Sequence, residues 1–173
     1  LENPGWYTAY TPYQPEISQG RLEAVFAFQT AITDLTGLAI ANASMLDEAT
    51  AAAEAMTLAR RVWQGSDDSA FVIDTNLHSH VKAVIQTRAK PLKIKVLEID
   101  LGKDSVPNDV FAAIIAYPDS NGRVKDLTNI VKLIQKQNAL AIVSCDLLAL
   151  TLFRSPGEYG ADIAVGSAQR FGV

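Results

Sequence analysis

Continuous apolar runs dominate the pattern of this sequence. "AFVIDT", "VFAAIIAY" and "ALAIVSC" each hold consecutive aliphatic or aromatic residues without the polar alternation of a half-exposed strand. Such runs are typical of strands that are buried on both faces, which occur in mostly parallel sheets covered by helices on either side. Segments with helical spacing of apolar residues separate these runs, so the sequence predicts an α/β layer domain.

The predicted elements alternate along the chain. Helices are predicted from about Gln19 to Gly37 and in "DEATAAAEAMTLARRVW", "LHSHVKAVIQTRA" and "DLTNIVKLIQKQN". Ser44 and Asp47 match a capping box, with serine at the cap and a carboxylate three residues on. The segment "LAIANA" before this box reads as a short buried strand. Six strands are therefore predicted, near Leu38, Ala70, Lys93, Phe111, Ala139 and Ala161.

Composition excludes several classes of function. A length of 173 residues fits one domain, and a net charge of −4 argues against nucleic acid as a partner. No apolar run approaches the roughly 18 residues of a membrane span, and no targeting segment is recognised. The single cysteine, Cys145, excludes an internal disulfide and a Cys-rich zinc site, and its apolar surroundings predict a buried, inert thiol. The chain begins without Met, and both ends are expected to be internal to a longer protein.

Polar residues fall where predicted strands end, which is where parallel sheets bind their ligands. They are Ser44, the stretch Thr75–His78, Asp146 and Gln169. Ser44 could help a helix N-terminus to hold a phosphate, or it could be an ordinary cap. Asp146 could pair with a protonated pyridine nitrogen, or it could serve as a helix cap or a structural ion pair.

Histidine offers little for metal chemistry. His78 and His80 are the only histidines, and their i,i+2 spacing does not place both on one helix face. A two-histidine metal site is therefore not predicted. His78 alone could stack on a flat cofactor or lie on the surface.

Four stretches, in their order, resemble one family over the whole chain. They are "YTAYTPYQPEISQGRLEA", "GLAIANASMLDEATAAAEAM", "VIQTRA" and "DLLALTLFRSPGEYGADIAVGSAQRFGV". The family is glycine decarboxylase, the pyridoxal-phosphate-dependent P-protein of the glycine cleavage system, and the chain resembles a segment of its N-terminal half. The resemblance implies an aspartate-aminotransferase-like (type I PLP) large domain over residues 19–173, preceded by an extended interface loop over residues 1–18. A seventh, antiparallel strand would follow Val173 and insert between the first and sixth strands, so the domain is expected to stop before it.

The resemblance also implies the activity of the parent enzyme. It would decarboxylate glycine with pyridoxal phosphate and pass the aminomethyl group to the lipoyl arm of the H-protein. Its covalent cofactor lysine lies in the C-terminal half, so this segment is expected to be inactive alone. The expected partner is that catalytic half or a second subunit, within a homodimer or a two-subunit tetramer. The compartment would be the cytoplasm in a bacterium and the mitochondrial matrix in a eukaryote.

Residue roles carried over from the family describe a vestigial site. Gln169 stands at the place of the cofactor lysine, and its amide cannot form an imine. The resemblance implies that His78 and Asp146 lie at the places of the ring-stacking and ring-nitrogen partners. Ser44, from its position at a helix start, is the candidate for the phosphate. The family usually reads His-Pro-Gln-Thr where this chain reads His78-Ser79-His80-Val81.

The loop Tyr7 to Glu16 is aromatic and stiffened by prolines, so it is suited to reach a neighbouring half. Tyr10 and Tyr13 are expected to touch substrate in the pocket of that half, or only to pack the interface.

Two rival hypotheses remain for the chain as a whole. One is a non-catalytic module that binds pyridoxal phosphate without a covalent bond, and the other is a fragment of a different type I enzyme whose lysine lies beyond Val173.

Overall fold

The computed structural model describes residues 2–3, 13–43 and 45–172. In this part of the chain the helices are α1 (Gln19–Thr36), α2 (Glu48–Val62), α3 (Ser79–Ala89) and α4 (Thr128–Gln135). The strands are β1 (Ala70–Asp74), β2 (Val96–Ile99), β3 (Val110–Tyr117), β4 (Leu140–Cys145) and β5 (Ile163–Val165). Single 3-10 turns occupy Pro15–Ile17, Ala149–Thr151, Gly157–Tyr159 and Ala168–Phe171. No helix in these ranges is long and apolar enough to span a membrane.

All pairings of the sheet are parallel, and the strand order is β2-β1-β3-β4-β5. The chain leaves β1 towards β2 on one side and then returns to place β3 on the other side of β1. The crevice at such a switch point, at the carboxyl ends of the strands, is the usual ligand position in this architecture. The alternation of strands and helices is therefore confirmed, and it sets the edge at which a site must be sought.

Helices cover both faces of the sheet, as predicted. Residues of α2 and α3 pack on one face, where Phe71 and Phe111 meet at a ring-centroid distance of 5.6 Å. Residues of α4 pack on the opposite face, and Ile32 and Leu35 of α1 contact the same cluster. Every residue of β3 is buried, which explains why its sequence shows no polar alternation.

The strand predicted in "LAIANA" is wrong. Residues 38–43 form no strand, so five of the six predicted strands are present in the described ranges. A groove of about 1000 Å³ has residues 38–43 along one wall and β5 along another. In the described ranges no strand pairs with this segment, and an extended sequence becomes a strand only when it is paired.

The predicted capping box, with Ser44 as the N-cap of the second helix, is also wrong. The helix α2 begins one turn later than that box requires, with Asp47 as its N-cap. The Asp47 carboxylate accepts a hydrogen bond from the Thr50 backbone N–H at 2.7 Å. Ser44 itself lies outside the described residues. Asp47, the acidic member of the motif, thus satisfies the Thr50 N–H at the helix start.

Candidate functional site

The carboxyl ends of β1, β3, β4 and β5 surround a small cavity of about 110 Å³. Six polar side chains contribute to its lining, and they come from the start of α2, the loop after β1, the end of β4 and the loop after β5: Glu48, His78, Ser144, Asp146, Ser167 and Arg170. The fold thus brings together His78 and Asp146, two of the residues singled out from the sequence. We call this space the edge cavity.

Asp146 is the best-connected side chain of the edge cavity. Its backbone N–H donates to the carbonyl oxygen of Tyr117 at 3.1 Å, which fixes it directly after β4. Its Oδ1 accepts from the Leu148 N–H at 2.9 Å and from Nε of Arg170 at 3.1 Å. The carboxylate is therefore both a cap for the following turn and one member of an ion pair.

The start of α2 carries two carboxylates beside the edge cavity. The Asp47 carboxylate is used as the helix cap, and the Thr50 N–H that it accepts holds its pKa below the usual range. Glu48 accepts a hydrogen bond from the buried Ser144 hydroxyl at 3.0 Å. Negative charge at this end complements the helix dipole, and it also makes the position unfavourable for a second anion such as a phosphate.

His78 lies at the N-cap of α3, at the mouth of the edge cavity. Its ring stacks on that of His80, with centroids 5.8 Å apart and planes inclined by 28°. Both residues are exposed. Within residues 2–3, 13–43 and 45–172, no cluster of three or more His, Cys, Asp or Glu side chains could hold a metal ion.

Gln169 does not line the edge cavity. It lies in the 3-10 turn after β5 and contributes to the large groove, while its backbone N–H donates to Oγ of Ser167 at 3.2 Å. The neighbouring Arg170 is the residue that reaches Asp146. Sequence reasoning missed Arg170, although a cation in the loop after one strand and a carboxylate after the adjacent strand was a usable signal.

A glycine fixes this loop against β4. A Cβ atom added at Gly166 would collide with the carbonyl oxygen of Cys145, so the two backbones approach more closely than any other residue allows. Cys145 itself is buried, and its Sγ lies 3.5 Å from the carbonyl oxygen of Val165. Burial, followed by the nearby charges of Glu48 and Asp146, raises the pKa of its thiol to about 12. The predicted burial of the thiol is confirmed, and its inertness stays a prediction.

Neither of the two predicted interface tyrosines is found among the described residues that line the edge cavity. Tyr13 is exposed over 75% of its surface, and Tyr10 falls in the part of the chain that the structure does not describe.

Solved structures first define the class of protein. The fold matches cystathionine gamma-lyase from Lactobacillus plantarum with a TM-score of 0.69 at 16% identity, over 84% of this chain and 38% of that one. It matches a protein of Campylobacter jejuni described as an O-acetylhomoserine (thiol)-lyase, solved with pyridoxyl-lysine monophosphate, with a TM-score of 0.68 at 13% identity over 94% and 43%. The fold is that of the large domain of type I pyridoxal-phosphate-dependent enzymes, as predicted.

The family follows from closer similarities. Residues 1–173 match the family described as "Glycine cleavage system P-protein". The chain is 58% identical to glycine dehydrogenase (decarboxylating) of Agrobacterium fabrum and 59% identical to that of Bradyrhizobium diazoefficiens, each over 100% of this chain and 18% of the relative. A crystal structure of glycine decarboxylase (P-protein) in inhibitor-bound form matches with a TM-score of 0.86 at 38% identity, over 96% of this chain and 38% of that one. The chain belongs to the glycine cleavage system P-protein family.

This family membership overturns the hypothesis of a different type I enzyme. The chain spans 18% of the length of the curated relatives that it matches. The residues of the edge cavity do not fit pyridoxal phosphate, which this class of fold implies. The Asp146 carboxylate already pairs with Arg170, and the start of α2 is acidic. Position 169, which lies in the loop beside the cavity, carries no amine.

Proposed function

We propose that this chain is part of the lysine-less half of a glycine decarboxylase and that its role there is structural. The whole protein would decarboxylate glycine with pyridoxal phosphate and pass the aminomethyl group to the lipoyl H-protein. The present segment would complete the fold and the pocket of the catalytic half, which is either the C-terminal half of the same chain or a second subunit. Alone it would have no activity.

The observation that carries this proposal is the ion pair between Arg170 and Asp146 at 3.1 Å, next to Gln169. An amide at position 169 offers no nucleophile for a carbonyl, and Oδ1 of Asp146 is already engaged by Arg170. A half without an amine at this place needs another half to supply the covalent chemistry of pyridoxal phosphate. The apolar groove beside β5 supports a role in assembly, since it leaves a wide surface for further chain.

The experiment compares three preparations in a glycine decarboxylation assay that follows labelled CO₂. They are residues 1–173 alone, the catalytic half alone and the full-length protein. We expect CO₂ release only when both halves are present. Release of CO₂ by residues 1–173 alone, above the rate of free pyridoxal phosphate, would contradict the proposal.

A second candidate function, a non-catalytic module that binds pyridoxal phosphate, has one observation in its favour and the charges of the edge cavity against it. His78 and Asp146 line the same cavity, as a module that binds pyridoxal phosphate without a covalent bond would require. Titration with pyridoxal phosphate, followed by borohydride reduction and mass analysis, separates the candidates. Saturable binding without a trapped adduct on residues 1–173 would support the module. No saturable binding supports the structural role, and a specific lysine adduct would contradict both.

Tyr13 tests whether the N-terminal segment reaches the catalytic half. Its side chain is 75% exposed, which leaves surface that another half would cover in the assembled protein. If it touches substrate there, Tyr13→Phe in the full-length enzyme should raise KM for glycine or lower kcat without changing the melting temperature. If it only packs an interface, Tyr13→Ala should lower the melting temperature and Tyr13→Phe should change neither constant. Tyr10 is proposed for the same role and is tested by the same pair of substitutions.

A further inference from the structure

Arg170 provides Asp146 with an internal cation. Oδ1 of Asp146 accepts both the Arg170 Nε–H and the Leu148 N–H, so two donors already converge on one carboxylate oxygen. In a site of the type I class, the partner of this carboxylate would be a protonated pyridine nitrogen, which is also a cationic N–H donor. We propose that the Arg170 side chain has taken the place of the cofactor ring in this half and closes its remnant site from within. This inference rests on the proposed function, because it treats the chain as the lysine-less half.

The space at Asp146 agrees with a filled site. The edge cavity measures about 110 Å³, whereas pockets for ligands of cofactor size are about 300 Å³ or larger. Arg170 contributes to the lining of this cavity and lies across Asp146. The edge cavity alone is therefore too small for a ring and its phosphate while the arginine keeps this position.

The charges around the cavity lead to the same conclusion. Glu48 and Asp146 line it, and Asp47 lies at the adjacent helix cap, so a phosphate at the start of α2 would meet two carboxylates. Among the residues that the structure describes, Arg170 is the one arginine or lysine in the lining of the edge cavity, and its charge is matched by Asp146. A pairing within the protein thus balances the charge that a cofactor would otherwise have to balance.

Backbone geometry holds the arginine in place. The close approach of Gly166 to the Cys145 carbonyl fixes the loop after β5 against the end of β4. Ser167 then caps the 3-10 turn by accepting the Gln169 N–H at 3.2 Å. This turn directs position 170 towards Asp146 and position 169 towards the groove. One short loop thus carries both Gln169, at the place of the cofactor lysine, and Arg170, which closes the site.

The first test counts cofactor sites on the full-length holoprotein. Equilibrium dialysis with pyridoxamine 5′-phosphate needs no lysine, so it reports any non-covalent second site. We expect one pyridoxal phosphate per pair of halves, mapped by borohydride reduction outside residues 1–173, and no second saturable site. A second saturable site that is lost in Asp146→Asn would overturn the inference.

The second test measures the coupling between the two residues by hydrogen exchange of the loop at residues 166–172. Arg170→Gln should accelerate exchange about two- to fivefold in the wild-type background, as expected for a half-exposed ion pair. The same change should have no effect in the Asp146→Asn background. Equal acceleration in both backgrounds would overturn the inference. Arg123→Gln, an exposed arginine outside the edge cavity, is the matched control and should leave the loop unchanged.

The two proposals fail in distinguishable ways. CO₂ release by residues 1–173 alone would remove the proposed function. If the full-length enzyme needs both halves but binds a second cofactor at Asp146, the proposed function stands. Only the proposal that Arg170 replaces the cofactor ring is then contradicted.

Discussion

Ser144 donates its hydroxyl hydrogen to Oε1 of Glu48 at 3.0 Å, and this bond joins the carboxyl end of β4 to the first turn of α2. Ser144 is 5% exposed, so little solvent competes for the hydroxyl. The helix that begins at Glu48 covers one face of the sheet. The bond therefore fixes the position of that helix relative to the edge where the strands end.

Removal of this hydroxyl should loosen the helix start. Ser144→Ala is expected to lower local stability by about 1 kcal/mol, because the Glu48 carboxylate loses a buried donor. Amide exchange in β4 and in the first turn of α2 of the full-length protein should become about fivefold faster. Ser105→Ala, in an exposed loop, is the matched control. Unchanged exchange in Ser144→Ala would contradict the assigned bond.

Gly166 should not tolerate a side chain. Gly166→Ala places a Cβ against the Cys145 carbonyl oxygen, so the loop or β4 must move, at an expected cost of about 1–3 kcal/mol. Gly20→Ala is the control, because a Cβ there meets nothing within 4 Å and alanine favours the helix α1. In the full-length protein, Gly166→Ala should therefore lower the melting temperature, whereas Gly20→Ala should raise it or leave it unchanged. A neutral Gly166→Ala would show that the loop lies farther from β4.

Cys145 should resist alkylation in the folded protein. A pKa of about 12 in place of 9.0 lowers the thiolate fraction at pH 8 on the order of 1000-fold, before steric protection is counted. Iodoacetamide labelling, mapped by mass spectrometry to the peptide containing Cys145, should be slow until urea unfolds the chain. Rapid labelling at pH 8 without urea would contradict the burial of this thiol.

The same pKa shift sets a pH dependence. A raised folded-state pKa means that the unfolded state loses this proton first, so the contribution of the neutral thiol is fully present below pH 9.0. It is lost as the pH rises towards about 12. Cys145→Ala should therefore flatten the fall of the melting temperature in this alkaline window. An identical slope in both proteins would argue against the shift.

The sequence predicted those elements that depend on local patterns, and it failed for those that depend on contacts with distant residues. β3 and α3 were predicted from their own apolar patterns, and Gly37 marked the end of α1 because its left-handed φ of 68° favours glycine. The pattern in residues 38–43 failed, because a strand depends on a backbone partner that local pattern does not encode. The cap of α2 failed because two residues, Ser44 and Asp47, offered the same chemistry three positions apart.

The candidate site shows the same limit. Proximity of His78 and Asp146 followed from strand ends meeting at one edge, which is a property of parallel sheets. The sequence offered a cation and a carboxylate after adjacent strands as a signal for the partner of Asp146. Which of positions 169 and 170 lies beside Asp146 is decided only when the 3-10 turn is formed. Side-chain direction within a turn is a three-dimensional property.

Gln169→Lys should not create a second catalytic site. In the full-length protein the new amine would lie beside the large groove, while Arg170 would still pair with Asp146. Residues 1–173 carrying this change should release no CO₂ from glycine, and the rate of the full-length variant should match that of the wild type. Gln169→Met, similar in size but without an amine, is the control. Activity in the isolated Gln169→Lys chain would show that the site can still hold a cofactor.

The groove between residues 38–43 and β5 should make the isolated chain associate. β5 pairs with β4 on one side, and its other edge lies along the groove, where no strand of the described ranges pairs with it. Exposed strand edges beside apolar walls promote association between chains. Residues 1–173 should therefore be polydisperse in analytical ultracentrifugation, and a chain extended through the strand expected after Val173 should be monodisperse.

A pair of substitutions tests whether the groove itself is responsible. Ile40 is 88% exposed and lines the groove, whereas Leu152 is 82% exposed and does not. Each change, Ile40→Lys or Leu152→Lys, adds the same charge and removes a similar apolar area. Only Ile40→Lys should reduce association of residues 1–173, because only this lysine opposes the approach of another chain to β5. Equal effects of the two lysines would assign the association to net charge, and a monodisperse wild-type chain that melts cooperatively would remove the groove as its cause.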